Sequence, residues 1–247
     1  MLGEAFHKVF SDGFMLKCTD KDVNEEWLTF LDFRDAAAYR KDVLDFQPDY
    51  LFHLGAHTSL EYCEENYDDC YQTNTLAVET AANIANDLRI PILYISTAGI
   101  FDGAQETYDD WDVPNPLGHY ARSKYMGERF VAQSCPQHLV CRAGWMMGSG
   151  PAKDKKFIQK LMAQLKAGKK ELFVVDDKLG TPTYTHDFAR NVKLLLEHRH
   201  WGIYNMVCGG MTGRLEVAQH LVHLLGLDAE VKVTPVGSEY FAKEYFA

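Results

Sequence analysis

No apolar stretch in this chain of 247 residues approaches the roughly 20 that a membrane-spanning helix needs, and the N-terminus lacks a signal-peptide pattern. The six cysteines, Cys18, Cys63, Cys70, Cys135, Cys141 and Cys208, include no Cys-x-x-Cys pair. That spacing argues against both a zinc site and a disulfide framework, so no metal is expected and the thiols read as reduced packing groups. Positive charge is scarce as well: 25 Lys and Arg stand against 35 Asp and Glu, a formal net charge of -10. Such a surface has no basic stripe to neutralise the phosphates of a nucleic acid. The one basic concentration, at 153–156 with Lys169-Lys170, reads as a solvated loop and helix end rather than a phosphate site. Internal repeats and low-complexity segments are missing too. These absences leave a soluble, cytoplasmic protein, long enough for one sizeable domain with a small appended lobe.

What is present is an alternation of apolar periods. Residues 4–10 carry Ala5, Phe6 and Val9 at helical spacing, and 13–18 read as a short strand after a turn. Residues 43–46 fit a helix end, and Gln47-Pro48-Asp49 leads into a buried strand over 50–54 that stops at Gly55-Ala56. A helix over 74–88 places Leu76, Ala77, Thr80, Ala81, Ile84 and Leu88 on one face. The run 90–95, interrupted by Pro91, ends in Ser96-Thr97, and 139–142 form another strand. Repeated strand–helix alternation predicts an α/β fold: a parallel, doubly wound sheet with helices on both faces.

The chemistry is carried by Tyr120 and Lys124. Four residues apart on a helix, they share one face, so the Lys124 ammonium is expected to favour the ionised form of the Tyr120 phenol. About two dozen positions upstream, Thr97 ends a buried strand at the edge where open α/β sheets bind ligands. A hydroxyl to hold a substrate oxygen, a phenol to exchange its proton and an ammonium to tune the phenol make a three-part catalytic site.

Here the chain resembles the extended short-chain dehydrogenase/reductases, and among them the dTDP-4-dehydrorhamnose reductase family. Ser96-Thr97, the Asn-Pro-x-x-x-Tyr-x-x-x-Lys of Asn115 to Lys124, and Gly127-Glu128 carry the resemblance. So do Gly180-Thr181-Pro182-Thr183-Tyr184 and Gly202-Ile203-Tyr204 further on, so that it runs over nearly the whole chain. It implies a Rossmann-like NAD(P)-binding domain over 1–150 and a mainly sugar-nucleotide-binding portion over 151–247. It also implies an oxidoreductase that reduces a nucleotide-linked 4-keto sugar. Alternatives on the same fold are a redox-neutral sugar-nucleotide epimerase or dehydratase and a non-catalytic NAD(P)-binding regulatory subunit. Retention of Thr97, Tyr120 and Lys124 argues against the last. A sugar nucleotide is the expected partner, with no nucleic acid or membrane and with a homodimer left open. Where the family usually has Asp-Tyr after the catalytic Thr, this chain has Ala98-Gly99, which bears on the choice of sugar.

The cofactor, NAD or NADP, is expected at a set of positions taken from the same resemblance. Met1-Leu2-Gly3 looks like the tail of a Gly-rich turn, with Gly3 its last glycine. The strand before that turn is missing, which would leave two strands with open edges and an unstable sheet. The expectation is therefore a fragment cut at both ends, since the chain also stops at Tyr245-Phe246-Ala247. Asp32, beside Phe33, is the candidate acceptor for the adenine amino group, with a helix N-cap as its other reading, a role Asp35 serves equally well. Leu54, Gly55 and Ala56 would line the dinucleotide, and Gly55 would permit close approach. Asn74 is either a cofactor-side residue or an ordinary N-cap, and Ala143-Gly144 would lie near the nicotinamide carboxamide. Asp20 would bond a ribose diol, whereas Lys17 or Lys21 would favour a 2′-phosphate; the balance tips to NAD. Tyr120 and Lys124 also contact cofactor in this scheme. Thr58, Thr97, Trp145 and Thr183 are the substrate candidates, with core packing the competing reading of Trp145 and Thr183.

Overall fold

The structure, a computed structural model, describes residues 1–149, 154 and 156–241. The pattern change expected at Gly150-Pro151, Lys153 and Lys155 of the basic cluster, and the terminal Tyr245-Phe246-Ala247 lie outside the described residues. In chain order the elements are α1 (Leu2–Phe10), β1 (Cys18–Asp20), β2 (Leu28–Phe30), α2 (Ala36–Phe46), β3 (Leu51–His53), α3 (Leu60–Glu65) and α4 (Tyr67–Tyr71). A π-helical turn, Gln72–Leu76, runs into α5 (Ala77–Leu88), followed by β4 (Ile92–Thr97), α6 (His119–Ser134), β5 (His138–Ala143) and β6 (Trp145–Met147). Then come α7 (Phe157–Lys166), β7 (Glu171–Val175), β8 (Leu179–Gly180), β9 (Pro182–Tyr184), α8 (Thr185–Glu197), β10 (Gly202–Met206), β11 (Thr212–Gly213), α9 (Arg214–Leu224) and β12 (Lys232–Val236).

The chain folds as two compact units, Leu2–Ala143 with Phe188–Met206, and Gly144–Asp187 with Val207–Ala247 and Met1. The first contains a four-stranded parallel sheet in the order β10-β5-β4-β3. β4 is central, and Ile92, Leu93, Tyr94 and Ile95 are all buried, as a strand covered on both faces requires. α5 presents Ala77, Val78, Ala81, Ala82, Ile84 and Ala85 to this core, together with Val43 of α2 and Val131 of α6. α6 differs from its neighbours: its buried face includes Ser123, Lys124 and Glu128. Charged side chains are rarely buried without a partner, so this face marks the site. β1 and β2 form a separate parallel pair, and β3 ends the order of the four-stranded sheet.

Several boundaries differ from the sequence reading. The first strand begins at Cys18 rather than 13, because Gly13 turns with φ 99°, Met15 is exposed, and Leu28 of β2 first pairs opposite Cys18. The helix expected over 74–88 starts further back, through α4 and the π-helical turn. The first unit ends at Ala143 instead of 150 and recovers 188–206, since β10 hydrogen-bonds to β5 in register from Gly202↔Leu139 to Met206↔Ala143. The second unit has its own core of Leu161, Leu172, Val174, Ala218, Val222 and Val231, with β7 and β12 parallel. No helix among the described residues is long and apolar enough to cross a membrane, and none of their His, Cys, Asp and Glu clusters is arranged to hold a metal.

Candidate active site

Thr97 closes β4 in an extended conformation and caps the short turn Ala98–Ile100, its Oγ1 accepting from Gly99 N at 3.0 Å. The same hydroxyl lies close enough to the Tyr120 phenol, in the first turn of α6, to favour its ionised form. Burial pushes the Tyr120 phenol up to about 12, against the lowering effect of the nearby Thr97 hydroxyl. This corrects the expectation that Lys124 would make Tyr120 acidic: the desolvation of the phenol outweighs the attractive contributions. Lys124 is itself buried, with Nζ 4.2 Å from the centroid of the Tyr94 ring. Desolvation brings its pKa down to about 7, only partly offset by the Glu128 carboxylate one turn along α6.

That depressed Lys124 value has a stability consequence. Unfolded, the ammonium titrates near 10.5; folded, near 7. Between these values the unfolded chain binds more protons, so stability rises with pH through the window, by at most about 1.4 kcal/mol per pH unit. Below pH 7 the full penalty applies. Lys124→Met is expected to stabilise the protein at pH 7 by a few kcal/mol (order of magnitude) and to flatten that rise. Urea unfolding at pH 7 and pH 9.5 checks it; a Lys124→Met variant less stable than the parent at pH 7 refutes the buried, unpaired lysine.

A polar network fixes the helix that carries the pair. Tyr94 donates to the Lys124 carbonyl at 3.0 Å, and Ser123 Oγ donates to the Tyr120 carbonyl at 2.8 Å. Asn74 Nδ2 donates to Ser123 Oγ (3.1 Å) and to the His57 carbonyl (3.0 Å), while its Oδ1 accepts from His57 N at 2.8 Å. Asn74 is fully buried inside the π-helical turn, which excludes the N-cap reading and makes it a clamp on the loop after β3. Gly127 lets α6 come this close, because a Cβ there would meet Asn74 O at 2.8 Å and Tyr94 OH at 2.9 Å. Beneath Lys124, Glu128 and Arg142 form a buried ion pair, Nη2–Oε1 2.7 Å, whose side chains are 2 % and 4 % exposed.

The cofactor candidates of the first unit divide between free and occupied groups. Leu54, Gly55 and Ala56 follow β3 on the same sheet edge as Thr97, and the Phe33 ring fills the space a Cβ on Gly55 would need. Asp32 accepts from Arg34 Nε at 2.9 Å and from Arg34 N at 3.0 Å, and that guanidinium holds its carboxyl down at about 2. Asp35, not Asp32, is the N-cap of α2, accepting from Ala37 N and Ala38 N. Asp20 accepts from Asp22 N at 3.0 Å, and Lys17 is paired with Asp42 at 2.6 Å. Gly3 opens α1 with nothing within 4 Å of a would-be Cβ, and Ala143 is the buried last residue of β5. Thr58 is exposed in the loop ahead of α3.

Gly144, Trp145 and Thr183 belong to the second unit. Thr183 is buried and accepts from Gly144 N at 3.1 Å, so its hydroxyl links β9 to that turn, the packing role weighed against substrate contact. A Cβ on Gly144 would run into Thr181 O and Thr183 Oγ1, which accounts for the glycine without a ligand. Trp145 is partly exposed and lies under the Arg214 guanidinium, 5.6 Å from the ring centroid. Sequence reasoning missed the chain Asp32–Arg34–Asp69–His57, in which His57 Nε2 meets Asp69 Oδ2 at 2.7 Å and Arg34 Nη1 meets Asp69 Oδ1 at 3.1 Å. It also missed Glu64, which accepts from His119 N. Apart from Asp32–Arg34, two positions apart, the partners lie 12 to 55 positions apart and leave no local sequence signal.

A parallel sheet with Thr97 at a strand end, beside a tyrosine that precedes a buried lysine by one helical turn, defines a Rossmann-like protein of the extended short-chain dehydrogenase/reductase type. The chain belongs to the RmlD substrate binding domain family, matched over residues 1–245. It is 29% identical over 202 residues to the spore coat polysaccharide biosynthesis protein SpsK of Bacillus subtilis, covering 81% of this chain and 70% of that one. It is 29% identical over 201 residues to the dTDP-4-dehydrorhamnose reductase of Mycobacterium tuberculosis, covering 79% of this chain and 65% of the relative. The crystal structure of a dTDP-4-dehydrorhamnose reductase from Clostridium acetobutylicum superposes with a TM-score of 0.82 at 29% identity, over 97% of this chain and 81% of that one.

Proposed function

We propose that the protein is an NAD(P)-dependent reductase of a nucleotide-linked 4-keto sugar, the reaction named for its dTDP-4-dehydrorhamnose reductase relatives. The observation that carries this reading is the Thr97 hydroxyl beside the Tyr120 phenol, with Lys124 one turn behind. Lys124 also supplies the fit to a dinucleotide. It is a buried amine over the Tyr94 ring, with no acceptor bonded to Nζ among the described residues, and a ribose diol offers acceptors to it. When bound, the reduced nicotinamide supplies the hydride. Tyr120, protonated throughout the neutral range, delivers its proton to the ketone oxygen, and Thr97 orients that oxygen. Lys124 holds the diol, and in its charged form it stabilises the tyrosinate left after proton transfer. Leu54, Gly55, Ala56 and Phe33 are assigned to the dinucleotide side of the first unit.

The test is a spectrophotometric assay of NADH and NADPH oxidation with dTDP-linked and other nucleotide-linked 4-keto sugars. One reduced cofactor consumed per ketone is the expected result. Turnover of the sugar with no net cofactor oxidation would instead identify an epimerase or dehydratase. Cofactor binding without any turnover would identify a regulatory subunit.

A further inference from the structure

We propose that Glu64 is a positioning residue for Tyr120, acting as the N-cap that α6 does not have in its own sequence. This rests on the role given to Tyr120 above. The N-cap of α6 is Gly118, with φ -93° and ψ 169° and no side chain to accept a hydrogen bond. The first N–H groups of a helix have no intrahelical acceptor and need one from elsewhere. Glu64 Oε1 accepts from His119 N at 2.6 Å, the amide directly before Tyr120. A Cβ on Gly118 would stand 2.7 Å from the same oxygen. Glycine and carboxylate are therefore a matched pair: a local capping side chain and the remote one compete for one space.

The remote cap does something a local one would not. Glu64 sits on α3, which is capped by Ser59 Oγ at Tyr62 N (3.3 Å), two residues after His57 and its double bond to Asn74. Because Leu54, Gly55 and Ala56 lie just ahead of His57, the carboxylate adds a link from this loop to the first amide of α6 beside the one Asn74 makes to Ser123. The carboxylate also complements the positive end of the helix dipole. Loss of Glu64 leaves the fold in place, since the His119 ring still stacks on Tyr67 (5.3 Å, 25°) and packs edge-on to Tyr71. What it frees is the His119 amide, and with it the placing of Tyr120 one residue on.

Three variants decide the matter. Glu64→Ala is expected to lower kcat on the order of 10-fold, with dinucleotide Kd unchanged, because misplacing a catalytic group by a fraction of an ångström is costly to rate alone. Glu64→Gln keeps an acceptor and should stay within about threefold of the parent, since N-cap acceptors need not be charged. The double variant Glu64→Ala with Gly118→Ser places a local cap in the vacated space and should recover most of the lost kcat. Amide exchange at His119 reads the cap without any substrate: faster in Glu64→Ala, slowed again in the double variant. An unchanged kcat in Glu64→Ala, or a double variant that regains His119 protection but not kcat, overturns the proposal. If no 4-keto sugar is reduced by the parent protein, the proposed reaction fails by itself. Unchanged His119 exchange and an unmoved Tyr120 ring resonance in Glu64→Ala would then overturn the positioning role separately.

Discussion

Tyr120→Phe should lower turnover by about 10²- to 10⁴-fold, the range over which a positioned general acid contributes, while nucleotide affinity stays within a factor of about two. The substitution removes one oxygen and its proton and leaves the ring in place. Thr97 keeps the hydrogen bond from Gly99 N at 3.0 Å, so the end of β4 remains ordered. Lys124 is unaffected sterically, because its cation rests on Tyr94 rather than on Tyr120. The measurements are single-turnover rates at saturating substrate and a fluorescence titration with the dinucleotide. A variant that turns over at the parental rate would remove Tyr120 from the reaction; one that loses binding in proportion to rate would make it a contact residue instead of an acid.

Arg142→Met should destabilise the protein by about 3–5 kcal/mol, the usual consequence of leaving one member of a buried ion pair alone. Arg142 donates to Glu128 through Nε (3.1 Å) and Nη2 (2.7 Å), and through Nη1 to Asn205 Oδ1 (3.2 Å) and the Asp110 carbonyl (3.3 Å). Removing it strands the Glu128 carboxylate, the Asn205 amide oxygen and a loop carbonyl together. Lys124 lies one turn away on α6, and Glu128 already raises its pKa. That pKa should therefore climb further in Arg142→Met, and the pair Arg142→Met with Glu128→Leu should regain much of the loss. Urea denaturation of the single and double variants gives both numbers. A single variant within about 1 kcal/mol of the parent would show that the pair is dispensable, as many exposed pairs are.

How much of this was legible beforehand depends on how local each signal is. The strand ending at Thr97, the shared face of Tyr120 and Lys124 and the parallel alternation are patterns of neighbours in sequence, and they hold in the fold. The direction of the Tyr120 shift was not legible, because it is set by how much protein surrounds the phenol, a tertiary quantity. Asn74 looked like a helix start because Asn favours caps. Its use as a clamp on His57 depends on a partner 17 positions away. Thr183 sits in a motif whose hydroxyl invites a ligand, yet the alternation of β9 turns it inward onto Gly144 N. Asp32 and Asp35 were interchangeable on paper; the backbone of α2 chose Asp35.

The return of the chain to its first sheet shapes how the protein must be made. β5 is complete by Ala143, but the strand that covers its outer edge is not synthesised until Gly202–Met206. A nascent chain must carry that bare edge through some 60 further residues, a long-range closure of the sort that slows folding and invites sticking between chains. Excising the N-terminal portion at 143 or 150 would make the exposure permanent. A well-behaved smaller version of the first unit therefore needs 188–206 spliced back on, not a simple stop codon.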